Sequence, residues 1–290
     1  MGIRFKFNLV LLAVFGAGLA LTGWISYGLL QANAKDEVVR NARLMLESAL
    51  AIRGYTIKQV KPHLELQLMR VFLPQSVPAY AATETVNELR KDHPDYSYKE
   101  ATLNPTNPRD RAVDWEADVV RDFRDHAEIK ELVNERDTPT GRSLFIARPI
   151  KIVDPACLAC HSVPQAAPAS MIKLYGESNG FGWKWNEIVG AQIVSVPMTL
   201  PIRNAERAFR AFMASLGAVF LAAFVVLNLM LGWLIVRPIR RMSETADKVS
   251  TGDFSRAELP AHGKDEISVL AASFNRMRRS LQKAMQMIEP

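Results

Sequence analysis

Two stretches of the 290-residue chain are almost entirely apolar, and they divide the sequence into three parts. The segments 8–30 and 212–236 are each long enough to cross the ~30 Å hydrocarbon layer of a membrane as a helix. Because a helix satisfies its own backbone hydrogen bonds in lipid, we predict that both segments are transmembrane helices. The part between them, residues 35–205, has the mixed pattern of a folded domain outside the lipid.

Basic residues lie just outside both apolar segments, at Arg4, Lys6, Arg237, Arg240 and Arg241. By the positive-inside rule both chain termini are then cytoplasmic, and the domain at 35–205 lies on the other side of the membrane. In a bacterium this places the chain in the inner membrane with a periplasmic domain. The net charge of +6 is mild. No basic patch is interleaved with aromatic residues, so the sequence argues against a nucleic-acid partner.

The first apolar segment has a second interpretation, as a cleaved signal peptide. The sequence Ala32-Asn33-Ala34 resembles a signal-peptidase site. However, the apolar run at 8–30 is longer than the ~7–15 residues of a signal-peptide core. We therefore favour a retained membrane anchor.

Within the outer domain, helical periodicity comes first and strand patterns come later. The first helix is expected to continue out of the membrane and to end before Pro62. Helices are also predicted over 83–93 and 111–127, the latter capped by Asp110. The segments 129–135 and 143–153 predict a β-hairpin, and 187–198 predicts a final strand. Helices followed by a small antiparallel sheet indicate an α+β domain.

The only two cysteines of the chain lie in DPACLACH, in the predicted loop after the strand that ends at Val153. A zinc site needs about four ligands, but no second cysteine pair exists and the other histidines are scattered. A thiol–disulfide exchange motif favours a thioredoxin-like βαβ pattern, which is missing. A structural disulfide in an oxidising compartment is a further alternative. The long connection 162–184 that follows is expected to be irregular and functional.

The alternative that uses all three polar side chains of the motif is covalent haem attachment. Cys-x-x-Cys-His is the signature of c-type haem. In this hypothesis Cys157 and Cys160 form thioether bonds with the porphyrin, and His161 binds the iron as the proximal ligand. One motif predicts one haem c. For the opposite face of the iron the sequence leaves His63, His126, Met69 and Met171 as candidates, or a vacant position that accepts a gas such as nitric oxide.

The segment after the second span has two short runs with apolar residues alternately three and four apart. This spacing is typical of a coiled-coil seam, and a connector with Gly252 and Pro260 joins the two runs. The segment 237–290 has Pro238 at its start and the step Gly252-Asp253-Phe254, and it enters its second run at Asp265-Glu266-Ile267. With these features it resembles a HAMP signalling module. A plain amphipathic helix on the lipid surface would need neither the connector nor a second seam. Since a monomer cannot bury both seams, the resemblance implies a homodimer. The first run comprises Ile239, Met242, Ala246 and Val249, and the second Ile267, Leu270, Phe274, Met277, Leu281, Ala284 and Ile288.

Three segments of the outer domain carry a second resemblance: YSYKEATLNPTNPRDRAVDWEADVV, ARPIKIVDPACLACHSVP and YGESNGFGWKWNEIVGAQIVSVP. With these segments the domain resembles a family of PAS-like sensor domains that bind c-type haem. The resemblance implies a central antiparallel sheet with flanking helices, one haem and frequent fusion to HAMP modules. Some relatives carry an iron-facing cysteine in an Ala-Ile-x-x-Cys pattern on the first helix. Here Tyr55 occupies that position, which makes Tyr55 a further candidate for the distal side.

Together these features predict a dimeric inner-membrane haem sensor that responds to redox state or a diatomic gas. It would signal through the HAMP helices to a cytoplasmic partner, and no acid–base constellation suggests an enzyme. The competing hypothesis is a membrane-anchored electron-transfer cytochrome, which would have no use for a HAMP module. Since no kinase or cyclase region follows the HAMP segment up to Pro290, we expect a separate partner or a longer chain.

Overall fold

The computed structural model describes residues 2–139, 141–261 and 263–288. These residues form two compact units. One unit contains the chain from Tyr27 to Ala208, and the other contains the chain up to Ser26 and from Phe209 onward.

The unit from Tyr27 to Ala208 is built on a four-stranded antiparallel sheet in the order β1-β4-β3-β2. The strands are β1 (Ser97–Thr102), β2 (Leu132–Thr138), β3 (Gly141–Lys151) and β4 (Ile188–Pro197). The predicted hairpin is confirmed as β2–β3, which pair up to Thr138 and Gly141, and the predicted final strand is β4. Strand β1 was not predicted.

Nine α-helices are described in these residues, and short 3₁₀ or π turns join some of them. The turns lie at Thr56–Val60, Lys61–Leu64, Pro74–Ser76, Pro108–Asp110, Pro164–Ala166 and Leu231–Val236. The helices are α1 (Ile3–Tyr55), α2 (Glu65–Leu68), α3 (Pro78–Leu89), α4 (Asp114–Asp125), α5 (Pro155–His161), α6 (Ala169–Tyr175), α7 (Thr199–Met230), α8 (Arg237–Ser250) and α9 (Glu266–Ile288).

Both faces of the sheet are covered, because successive side chains of each strand point to opposite faces. On one face α1 and α3 pack against the even-numbered residues of β3 and β4, such as Ile146 and Val194. On the other face Val120 and Phe123 of α4 pack against the odd-numbered residues, such as Ile193. Burying one such large side chain stabilises the fold by about 1.5–3 kcal/mol. The predicted α+β domain with flanking helices is confirmed.

Some predicted helix boundaries were wrong. The second helix begins at Pro78 rather than Thr83, and α4 begins at Asp114 rather than three residues earlier. Asp110 does not cap α4: the Glu116 carboxylate accepts a hydrogen bond from the Val113 amide (2.9 Å) instead. Asp110 lies in the preceding 3₁₀ turn, where burial raises the pKa of its carboxyl to about 6.

The second unit contains two helical segments that are long and apolar enough to span a membrane, as predicted. They are the first part of α1 and the apolar part of α7. The rings of Phe15 on α1 and Phe220 on α7 stack with their centroids 4.8 Å apart. Such stacking contributes to helix packing beyond the area that it buries.

Helices α8 and α9 follow the second apolar segment, and α9 has two different faces. On one face Asn275 exchanges two hydrogen bonds with the backbone of Leu259, and Arg278 donates to the Phe254 carbonyl (2.8 Å). The predicted seam residues Leu270, Met277 and Leu281 lie on another face and are 53%, 52% and 46% exposed. The last two residues of the predicted segment 237–290 lie outside the described residues.

Candidate functional site

The three residues of the sequence motif lie on the short helix α5. We expected this segment to be a loop, but Asp154 caps a helix there by accepting from the Ala156 amide (2.9 Å). Pro155 occupies the first helical position, where its missing N–H has no cost. Cys160 and His161 follow Cys157 by three and four residues, so all three side chains lie on one side of the helix.

The His161 ring is oriented by the segment that leads to β4. Its Nδ1 lies 2.8 Å from the Gly180 carbonyl oxygen. A carbonyl can only accept, so this contact requires the tautomer with the proton on Nδ1 and leaves the Nε2 lone pair free. Burial lowers the pKa of the imidazole, against a smaller opposite effect of the Gly180 carbonyl. A neutral imidazole fixed by its other nitrogen is the usual form of a metal-ligating histidine.

A second contact fixes the plane of the His161 ring. The indole of Trp183 stacks on it with centroids 4.0 Å apart and planes inclined by 15°. The Trp183 amide also donates to the His161 carbonyl (3.2 Å), and the Gly182 amide donates to the Ser162 carbonyl (2.9 Å). These contacts hold the end of α5 against the segment 180–183.

Asn104 and Thr106, in the NPTNP segment after β1, complete this support. The Asn104 amide donates to the Phe181 carbonyl (3.2 Å), and its oxygen accepts from the Gly180 amide (3.1 Å). The Thr106 hydroxyl lies 3.4 Å from His161 Nδ1. Gly180 has φ +84°, and a Cβ there would lie 2.8 Å from the Thr106 Cα. Only glycine fits this position.

The two cysteines are half-buried and carry free thiols in the structure. Burial raises the pKa of both thiols, and the Asp154 carboxylate adds to the effect on Cys157. The positive charges of Arg53 and Lys61 act on Cys157 in the opposite direction without reversing the shift. Exchange catalysis requires a thiol with a lowered pKa, so these cysteines do not have the properties of a redox-exchange pair.

The structure also bears on the zinc alternative. Among the residues that it describes, no three or more His, Cys, Asp or Glu side chains come together as a possible metal-ion site. A structural zinc ion takes four protein ligands, so this arrangement gives the zinc hypothesis no support.

The predicted distal candidates lie in different environments. Tyr55 is the last residue of α1 and is 62% exposed. His63 and Met69 are exposed in and after the turns that follow it, whereas Met171 is buried on α6. His126 follows α4, and its Nδ1 lies 3.0 Å from the Asp122 carboxylate. Tyr55 lies in the segment between Arg53 and Lys61, whose charges act on Cys157.

The residues that support His161 were not identified as site residues from the sequence. The distance from His161 along the sequence is 19 to 57 positions for Asn104, Thr106, Gly180 and Trp183. The segments in which they lie have no catalytic side chains that would draw attention to them. The signal that pointed to them was indirect: all lie in the segments that carry the family resemblance.

Two parts of the chain match known families. Residues 31–197 match the Tll0287-like family, and residues 230–283 match the HAMP domain. The crystal structure of the cyanobacterial haem protein Tll0287 aligns with a TM-score of 0.44 and 17% identity, covering 56% of this chain and 95% of that one.

Two curated sensor histidine kinases also match parts of the chain. WalK of Bacillus subtilis is 30% identical over 122 residues, which are 42% of this chain and 20% of that protein. MtrB of Mycolicibacterium paratuberculosis is 29% identical over 104 residues, which are 34% of this chain and 18% of that protein. The chain thus matches only about a fifth of the length of these relatives.

The family match covers more than half of the 290 residues and contains the sheet, α5 and every residue that orients His161. The chain therefore belongs to the Tll0287-like family, and a HAMP domain follows its family region.

Proposed function

We propose that this chain is a membrane haem sensor with one covalently bound haem c in its outer domain. Cys157 and Cys160 would hold the porphyrin through thioether bonds, and His161 Nε2 would bind the iron. The observation that carries the proposal is the hydrogen bond from His161 Nδ1 to the Gly180 carbonyl, on a helix that also presents both thiols. When bound, the haem would supply an iron centre that changes oxidation state or takes up a diatomic gas.

The chemistry of the residues present fits this group. Two half-buried, protonated thiols and a neutral imidazole share one side of α5, and these are the groups that c-type attachment uses. Val153 and Val163, which flank α5, are exposed apolar side chains. A porphyrin needs apolar surface of this kind to cover its faces.

The connectivity of the domain supports a route for the signal. Between β3 and α5, the Ile152 amide donates to the Glu187 carbonyl (2.9 Å), immediately before β4. At the other end of β4, the Met198 amide donates to the Arg142 carbonyl (2.9 Å), and α7 starts at the next residue. A displacement of His161 and the segment 180–183 would therefore reach α7 through a single strand. An equilibrium between two arrangements would carry the signal.

Membrane topology and partner are parts of the same proposal. The basic residues beside both spans support cytoplasmic termini and a periplasmic haem domain. The HAMP domain and the partial similarity to two sensor histidine kinases support a cytoplasmic signalling partner. We assign sensing and relay to this chain, and the catalytic step of signalling to that partner.

The exposed seam on α9 supports a homodimer. Leu270, Met277 and Leu281 are spaced by seven and four residues, and each exposes about half of its side chain. A second copy of α9 would bury these side chains in a coiled-coil interface.

State-dependent crosslinking tests the sensor proposal. We expect Leu270→Cys to give a dimer of twice 32.4 kDa with a bismaleimide in membranes, with a yield that differs between oxidised, reduced and nitric-oxide-treated samples. Arg276→Cys, which is exposed on α9 but off the seam, is the matched control and should give little dimer. A dimer yield that is identical in all haem states would contradict a sensor and favour an electron-transfer cytochrome.

A further inference from the structure

A buried ion pair joins α1 to the sheet at the end nearest α5. Nη1 of Arg53 lies 2.5 and 2.6 Å from the two carboxylate oxygens of Glu100 on β1. The side chains of Arg53 and Glu100 are only 24% and 7% exposed. The Tyr98 hydroxyl also donates to Glu100 (2.8 Å), and burial together with the Glu100 charge raises the pKa of that phenol, so it remains a donor.

Arg53 interrupts an apolar stripe. The face of α1 that packs on the sheet is formed by Val38, Ala42, Leu46 and Ala49, which are buried. The same three- and four-residue spacing reaches Arg53 next. Burying an ion pair costs desolvation, and a hydrophobic pair of similar size is often as stable or more stable. Core packing alone therefore does not account for this pair.

The position of the pair in the sheet places it beside α5. Glu100 pairs with Gln192 on β4, and two residues further along the sheet both Thr102 and Ile150 pair with Gly190. This is the end of the sheet from which β3 leads into α5. The positive charge of Arg53 also acts on Cys157 of α5, where it opposes the rise in the pKa of the thiol.

From this placement we infer that Arg53 and Glu100 set the reduction potential of the haem held by α5. This inference rests on the proposed function. Ferric haem carries one more positive charge than ferrous haem, so a nearby cation favours the reduced state and a nearby anion the oxidised state. In the wild type Glu100 holds Arg53 in place and partly cancels its charge.

The test is the midpoint potential of the full-length protein in detergent, measured by spectroelectrochemical titration. Arg53→Gln leaves Glu100 without its cation and is expected to lower the potential. Glu100→Gln leaves Arg53 charged and able to donate to the new amide, and is expected to raise it. Arg53→Lys retains the charge and should stay nearest to the wild type. A purely structural role would not give shifts of opposite sign.

The matched control is Arg43→Gln, which breaks another ion pair of α1, with Glu131 at 2.6 Å. That variant should leave the potential unchanged. Shifts of the same sign in Arg53→Gln and Glu100→Gln, or no shift in Glu100→Gln, overturn the inference. If the Arg53→Gln protein does not accumulate, the midpoint potential of Glu100→Gln tests the inference alone: a rise supports it, and no rise overturns it. Wild-type protein without covalent haem would instead refute the proposed function, since that outcome is seen before any titration.

Discussion

Changing His161 to alanine is expected to leave pigment joined to the chain but to remove the absorption spectrum of iron bound to a protein imidazole. The reason is that His161 is the one residue on α5 with a free ring nitrogen beside both thiols. In this variant the Leu270→Cys dimer should still form, but its yield should no longer differ between the haem states. Added imidazole should restore the spectrum, because the alanine leaves space where the ring lay between Gly180 and Trp183.

His126→Ala is the control for this experiment. His126 follows α4, is exposed, and has its Nδ1 3.0 Å from the Asp122 carboxylate. Its removal should leave the spectrum unchanged. An unaltered spectrum in His161→Ala, or an equal change in His126→Ala, would show that His161 is not the iron ligand.

The second large effect is expected for Gly180→Ala. The new Cβ would overlap Thr106 and would also force a left-handed backbone conformation on alanine. Overpacking and the backbone strain together should lower the free energy of unfolding by about 2–4 kcal/mol. Because Gly180 supplies the acceptor of His161 Nδ1, the haem spectrum should change as well. Urea unfolding of the full chain in detergent, followed by circular dichroism, measures the stability.

Gly182→Ala separates the two causes. Gly182 has φ +80°, close to that of Gly180, but a Cβ there would meet nothing within 4 Å. This variant should lose only the ~1–2 kcal/mol of the backbone conformation and retain the spectrum. Equal losses in the two variants would contradict the packing of Thr106 against Gly180.

The elements predicted correctly are those in which the sequence pattern is itself the cause of the structure. The two apolar segments, the β2–β3 hairpin and β4 each carry a continuous apolar or alternating run, and each was recognised. Strand β1 is short and contains the buried Glu100, so its own pattern is weak. Its pairing with β4, from Ser97 to Thr102, depends on residues about ninety positions away. The Asp110 cap was wrong for a different, local reason: Glu116, inside α4, accepts the hydrogen bond of the Val113 amide.

The candidate site divides in the same way. Cys157, Cys160 and His161 are adjacent in the sequence, so their spacing alone suggested the chemistry. The residues that orient His161 come from the segment after β1 and the segment before β4, and no local pattern links them. The buried pair of Arg53 and Glu100 could not be predicted from the sequence either, since a charged residue in an amphipathic helix is normally expected on the solvent face of that helix.

The most direct test of the account is covalent haem retention. Full-length protein, expressed with a c-type haem maturation system, is denatured and extracted with acidified organic solvent, and the residual pigment is quantified as the pyridine haemochrome. We predict one haem per chain in the wild type and none in the double variant Cys157→Ala, Cys160→Ala. Wild-type protein whose pigment passes entirely into the solvent would contradict the account.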